Sequence, residues 1–311
     1  MARRSDPDDQ IPLLASTPFA ARRGLTHDQA RQRVRSGEWE RIRRGFYLTS
    51  DDWLSDDLDE FAVARLRHVH RAIAAAHAHP RAVVAYESAA AVLSCPTWSP
   101  LDIPVNLVVA TGQWTGQRAG VRIRRLDLPS EHVERTTIPV TTPARTWLDI
   151  ARRGSLATSL VVGDVLLARS LTTQAELVTM AEFAEDSALP GRTRVRRALP
   201  HLDPLRESPL ESASAAYFIT HRIRRPRVQV EIFDRAGAFL ARVDFLWDDL
   251  PSGVRVIGEA DGRVKYLDAA TLYEEKRRED ALRALGYTVV RWGAADLRNA
   301  DLARRLRQLL H

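Results

Sequence analysis

From residue 201 to the end, the chain reads as helix, three strands, helix, strand, helix, an order that few folds accommodate. After the Pro200–Pro204 break the segments are a helix over 209–222 and a strand over 228–233. A turn at Arg235-Ala-Gly237 leads to strands over 239–247 and 254–260. A helix over 270–285, a strand over 287–292 and a helix over 296–310 complete it. The strands alternate as half-buried strands do, with Val243, Phe245 and Trp247 on one face and Asp244 on the other. An aspartate inside an apolar strand is disfavoured, and burying it without a partner is costly. Asp244 therefore asks for a function.

The basic residues point to the same hundred positions. Lys and Arg together number 46, yet only Lys265 and Lys276 are lysines. Arginine replaces lysine freely except where a compact ammonium must sit on one phosphate oxygen or where its pKa must be tunable. Asp244, Glu259, Asp261 and Glu275 surround the two lysines in sequence. Breaking a phosphodiester requires an activated water and a stabilised leaving oxygen. Mg²⁺ supplies both and takes hard oxygen ligands, commonly one or two carboxylates plus waters. The candidate catalytic set is Glu211, Asp244, Glu259, Asp261 and Lys265, with Asp244 and Glu259 as the metal ligands. Lys265 would orient the nucleophile or neutralise developing charge, and Gln229 is placed to line the site on the same side as Glu231. Plainer readings stand beside these. Ser208 and Glu211 form a capping box around Pro209. Asp261-Gly262 is a hairpin-turn pair. Lys276 lies in the charge run Glu274–Asp280, which reads as a solvated helix face.

The helix–strand order, Glu211, Arg242-Val-Asp-Phe245, Gly258-Glu-Ala-Asp-Gly262 and the run Glu275 to Trp292 together resemble the PD-(D/E)XK nucleases, nearest the very-short-patch-repair endonuclease-like branch. The resemblance covers roughly the last hundred residues. It implies an αβββαβ restriction-endonuclease-like domain and Mg²⁺-dependent cleavage of DNA in genome defence or repair. One position departs: the lysine expected two residues after Glu259 is Asp261, and Lys265 lies four residues further on. An active site with a migrated lysine and a binding-only site both remain open.

The front of the chain reads differently. Residues 18–23 read as a short helix, and Thr26 with Gln29 caps a second one, which ends at Gly37. A hairpin follows over Trp39–Leu48, with its turn near Arg43, Arg44 and Gly45. Two helices and a basic hairpin are the layout of a winged helix-turn-helix, which reads DNA with a helix in the major groove and hairpin arginines on phosphates. Arg31, Arg33, Arg35, Arg41, Arg43 and Arg44 are the candidate DNA contacts. Leu25-Thr-His-Asp-Gln-Ala, Arg33 to Trp39, Arg43-Arg-Gly-Phe-Tyr47, Tyr86-Glu-Ser-Ala-Ala-Ala and Thr142-Pro-Ala-Arg-Thr-Trp-Leu-Asp149 resemble the AbiEi-type antitoxin family over about residues 15–185. That resemblance implies a winged helix that represses its own operon, and a nucleotidyltransferase toxin as partner. The departure is a shortened first helix, since Asp9–Ser16 leaves little room for one and contains Pro12.

The expected architecture is thus α/β multidomain: a winged helix-turn-helix over 10–50, an α+β middle region over 51–200 and the nuclease-like domain over 201–311. In the middle region a helix runs from Asp56 to Ala78, strands follow over Val105–Val109 and Val121–Leu126, and Thr142-Pro143 opens a helix. Further helices occupy 155–168 and 173–186. His68, His70, His77 and His79 lack i,i+4 spacing and read as a solvated helix face rather than a metal site. A net charge of +6 favours an anionic partner, with nucleic acid the first candidate. One cysteine, Cys95, excludes an intrachain disulfide. The N-terminus lacks the apolar core of a signal peptide, and no apolar run reaches membrane-spanning length. A reducing cytoplasm is the expected location. Two functions follow: a Mg²⁺-dependent DNA endonuclease, or an antitoxin-like repressor that keeps a nuclease fold without the reaction.

Overall fold

The hydroxyl of Thr26 accepts the amide of Gln29, and the Gln29 side chain accepts the amide of Thr26, so a capping box starts α1 (His27–Arg35). A computed structural model describes residues 15–16, 26–43, 46–49, 60–98, 103–110, 113–126, 128–135, 137–261 and 269–310. The chain divides into two compact units, residues 1–150 and 151–311. The helix expected over 18–23 and the start of the long helix at 56–59 lie outside the described residues.

In the first unit, β2 (Trp39–Arg43) and β3 (Phe46–Thr49) form the expected hairpin, and β1 (Ala15–Ser16) adds to the other edge of β3. Ala30 of α1 packs with Trp39 and Tyr47, flanked by Val34, so the helix seals one face of this small sheet. A six-stranded mixed sheet follows. Its strands are β4 (Val83–Val84), β5 (Val105–Val109), β6 (Gly116–Arg118), β7 (Val121–Arg125), β8 (Val133–Arg135) and β9 (Pro139–Thr141), in the order β6-β7-β5-β4-β9-β8. The alanines of α2 (Glu60–Ala78) and α3 (Tyr86–Val92) pack against Val84, Leu107, Val109 and Val140. Small side chains let a helix approach a sheet closely, and the close packing recovers dispersion contacts.

The solvated helix face expected for the histidines holds for exposed His77 but not for His68 and His70. His68 and His70 are buried. His68 Nε2 lies 2.8 Å from the Ser88 hydroxyl, which also accepts the amide of Asn106, while His70 Nδ1 meets the Leu66 carbonyl. Both rings are satisfied inside the fold, which offsets the cost of burying them.

α4 (Pro143–Arg153) opens where Thr142-Pro143 predicts. The second unit continues with α5 (Leu156–Ala168), α6 (Gln174–Asp186), α7 (Arg192–Ala198) and α8 (Pro209–Thr220). Asp164 of α5 is buried against Arg206 and also accepts the Ser212 hydroxyl and the Asp203 amide, which ties α5 to α8. Then come β10 (Arg227–Phe233), β11 (Phe239–Trp247), β12 (Arg255–Ala260), α9 (Ala269–Ala284), β13 (Tyr287–Trp292) and α10 (Asp301–Leu310). The sheet order is β10-β11-β12-β13, antiparallel except for the parallel β12–β13 pair. The α-β-β-β-α-β order read from the sequence is the order present.

One face of this sheet meets α8 and α10 through Tyr217, Phe218, Phe245, Trp247, Trp292, Leu302 and Leu306. Phe218 sits edge-on to Phe245, Trp247 and Trp292, a geometry that aromatic rings favour. Gly258 is required beneath this cluster, because a Cβ there would lie 2.5 Å from the Trp292 ring and 3.0 Å from Trp247. The other face meets α9 through Val243, Leu246, Ile257 and Leu282. The regular alternation expected over 243–247 therefore breaks: Val243 packs on the α9 side, whereas Phe245 and Trp247 pack on the other. The pairing register sets Gln229 opposite Asp244, and Gln229 has φ +51° inside its strand. A left-handed residue there turns the hairpin so that the facing of its side chains changes at this point.

Candidate functional site

The break in alternation is where the carboxylates gather. Glu211 lies in the first turn of α8, behind the N-cap Ser208 and Pro209. The Ser208 hydroxyl accepts the Glu211 amide, so half of the expected capping box is present. The Glu211 carboxylate is not used for the other half. It accepts the amide of Glu207 at 3.0 Å and the Gln229 side-chain amide at 2.8 Å, and it is buried. Gln229 also hydrogen-bonds Asp244, so it bridges the two acids. Arg242 pairs with Glu207 at 2.6 Å at the rim.

Asp244 sits where β11 and β12 part. Their pairing ends at Phe245 opposite Gly258, and Asp244 Oδ2 accepts the Ala260 amide at 2.8 Å beyond that point. The side chain thus replaces a ladder bond. Burial, then the negative charge of Glu211, pushes the Asp244 carboxyl up to about 6, against the opposing pull of the Ala260 amide. Glu259 is pushed up to about 7, first by burial and then by Asp244. Arg278 of α9 and Arg291 of β13 pull the other way, and exposed Asp261 adds to the rise. Gln229 thus bridges Glu211 and Asp244, and Asp244 in turn acts on Glu259.

The acids do not form a three-ligand metal group: no three His, Cys, Asp or Glu side chains among the described residues gather closely enough to hold an ion. Asp244 lies near enough to Glu259 for its charge to act on that carboxyl, and Mg²⁺ takes one or two carboxylates when waters complete its shell. Lys265 lies outside the described residues, and Lys276 is exposed on α9, as a solvated helix face predicts. Gln229 carries more weight than its sequence position suggests. A glutamine in left-handed geometry within a strand costs about 1–3 kcal/mol and persists only where its surroundings hold it. Arg278 and Arg291, the cations acting on Glu259, were not legible: Arg278 is hidden in the charge run of α9, and Arg291 lies across a parallel strand pair.

The arginines at the front divide as well. Arg31, Arg35 and Arg41 are exposed. Arg33 lies over the Trp39 ring at 5.1 Å, so its guanidinium holds that tryptophan in place. Arg43 is half-buried at the end of β2, and Arg44 lies outside the described residues. No helix among the described residues is long and apolar enough to cross a membrane.

Comparison with known proteins adds one family. Residues 82–201 match the AbiEi antitoxin C-terminal domain. No curated protein matches the chain. Among solved structures, the RV2827C protein from Mycobacterium tuberculosis aligns with 71% of this chain and 84% of its own, at 14% identity and a TM-score of 0.39. The family match stops at residue 201 and gives no support to the nuclease resemblance of the residues beyond it.

Proposed function

We propose that this protein is an AbiEi-like antitoxin that binds DNA and represses its own promoter, with a nucleotidyltransferase toxin as its partner. The observation that carries the reading is the match of residues 82–201 to the antitoxin domain. The basic front of the chain supports it, with exposed Arg31 and Arg35 on a capped helix and Arg41 on the adjoining hairpin. Such guanidiniums would hold phosphates, and binding would then weaken steeply with salt as counterions are released. Fluorescence anisotropy with the chain's own promoter, a scrambled duplex and Arg41→Glu tests this. Tighter binding to the promoter, abolished or weakened in the variant, is expected. Equal affinity for both duplexes overturns it. Co-purification with a nucleotidyltransferase encoded beside it tests the partner.

A second reading attaches to the C-terminal unit, because the Gln229 bridge holds mutually repelling carboxylates side by side. Asp244 and Glu259 would share a Mg²⁺ ion, which supplies an activated water and charge stabilisation for phosphodiester cleavage. Arg278 and Arg291 supply the positive charge beside Glu259 whatever the place of Lys265. Incubating DNA substrates and Mg²⁺ with the wild type and with Asp244→Ala separates the two readings. Cleavage abolished in the variant supports the enzyme, and equal product from both proteins removes it.

A further inference from the structure

The first unit contains a cleft of about 420 Å³ lined by Arg43 at the end of β2, His79 just beyond α2, and Trp114, Arg118, Val121 and Ile123 around β6 and β7. Its floor is apolar, since Val121 and Ile123 belong to the buried core of the six-stranded sheet. Its wall is aromatic and its polar groups are two guanidiniums and an imidazole, with no carboxylate among the lining residues.

Trp114 is 58% exposed, although it is among the largest apolar side chains in the unit. It is nevertheless held in place. Gly116 has φ +148°, and a Cβ there would lie 2.8 Å from the Trp114 ring, so the indole rests on bare glycine backbone. One edge of the ring is seated and the rest is left to the cleft. Arg43 and Arg118 are engaged in no ion pair among the described residues. Burial, and then the charge of Arg43, hold the His79 imidazole below its ordinary pKa. It is therefore neutral near pH 7, able to donate or accept a hydrogen bond without adding charge.

A seated, open indole beside two cations suits a flat ring that carries an anion. We infer that the cleft binds one nucleotide, its base stacked on Trp114 and its phosphate held by Arg43 and Arg118. The volume lies within the range of about 300–1,000 Å³ typical of small-ligand sites. Stacking on an aromatic side chain tolerates any base, since every base has a π face, and guanidinium forks match phosphate oxygens. The shared chemistry is a base bearing a phosphate. It could be supplied by a free nucleoside monophosphate or by an unpaired position in a strand.

Isothermal titration calorimetry of the full chain tests this without duplex DNA, so its outcome is independent of promoter binding. The probes are AMP, GMP, CMP and TMP, with adenosine and ribose 5-phosphate as half-ligands, and a short oligothymidylate. A monophosphate or the oligothymidylate should bind, with both half-ligands weaker by about tenfold or more. Trp114→Ala and Arg118→Ala should each cost about tenfold in affinity. Both side chains are exposed, and thermal melting followed by circular dichroism verifies that the variants stay folded. Gly116→Val should weaken binding by displacing the indole. Binding of a monophosphate assigns a free ligand, and binding of the oligomer alone assigns an unpaired base. No heat from any probe at millimolar concentration overturns the inference. Affinity unchanged in Trp114→Ala and Arg118→Ala does so as well, as does adenosine binding as tightly as AMP.

Discussion

Replacing Asp244 by Asn removes one charge from the carboxylate group and keeps the oxygen that accepts the Ala260 amide. Lifting the Asp244 carboxyl from 3.8 to about 6 corresponds to about 3 kcal/mol at about 1.4 kcal/mol per pH unit. Solvent screening at this half-buried position reduces that to about 1.5 kcal/mol. A carboxyl whose folded pKa is raised binds its proton more tightly in the native state. The native state therefore has its full relative stability below about pH 4 and loses it as pH rises through about 6. Glu259, raised to about 7 and coupled to Asp244, extends the loss upward. In urea unfolding followed by tryptophan emission, Asp244→Asn should match the wild type at about pH 3.5 and exceed it by about 1–2 kcal/mol at pH 8. If the variant is weaker by the same amount at both pH values, Asp244 is only a structural acceptor and the repulsion argument fails.

Gln229→Gly frees a left-handed position and Gln229→Ala does not, although both remove the bridge to Glu211. The glycine variant should be the more stable by about 1 kcal/mol in urea unfolding, and the reverse order would mean that the backbone there is unstrained. Gly258→Ala drives a methyl into Trp292 and Trp247, so thermal melting should register a loss of about 1–3 kcal/mol. Asp164→Ala strands the buried Arg206 guanidinium and should cost about 3–5 kcal/mol. Asp164→Ala with Arg206→Met should recover a large part of that, and a double variant as weak as the single one would show that the pair is not the source of the loss.

Long, strongly patterned segments were legible from the residues alone. β11 and β13 run over the residues expected of them, because their apolar runs are bounded by turn residues on both sides. The capping box of α1 and the Thr142-Pro143 start of α4 rest on local hydrogen-bond chemistry and are equally visible. Among the described residues, five strands of two or three residues, β1, β4, β6, β8 and β9, carry too few positions for a period-two pattern to register. The expected last helix, 296–310, is split because Asn299 is extended and its side chain accepts the Asp301 amide. The burial of His68 depends on Ser88, twenty residues away, and no helical spacing reports such a partner. In the site, the residue types were readable and their arrangement was not. Asp244 stood out as an acid in an apolar strand. The left-handed Gln229, the change of facing around it and the arginines opposing Glu259 follow from pairing between strands and helices far apart in sequence.

The proposed antitoxin role requires sequence-selective DNA binding. Anisotropy titrations of a promoter duplex and a scrambled duplex, at several salt concentrations, test it most directly. Tighter binding to the promoter is expected, with log affinity falling linearly against log salt. Arg41→Glu should make that slope shallower by about 0.9 for each phosphate the protein no longer neutralises. Equal affinity for the two duplexes, or a slope unchanged by Arg41→Glu, would contradict it.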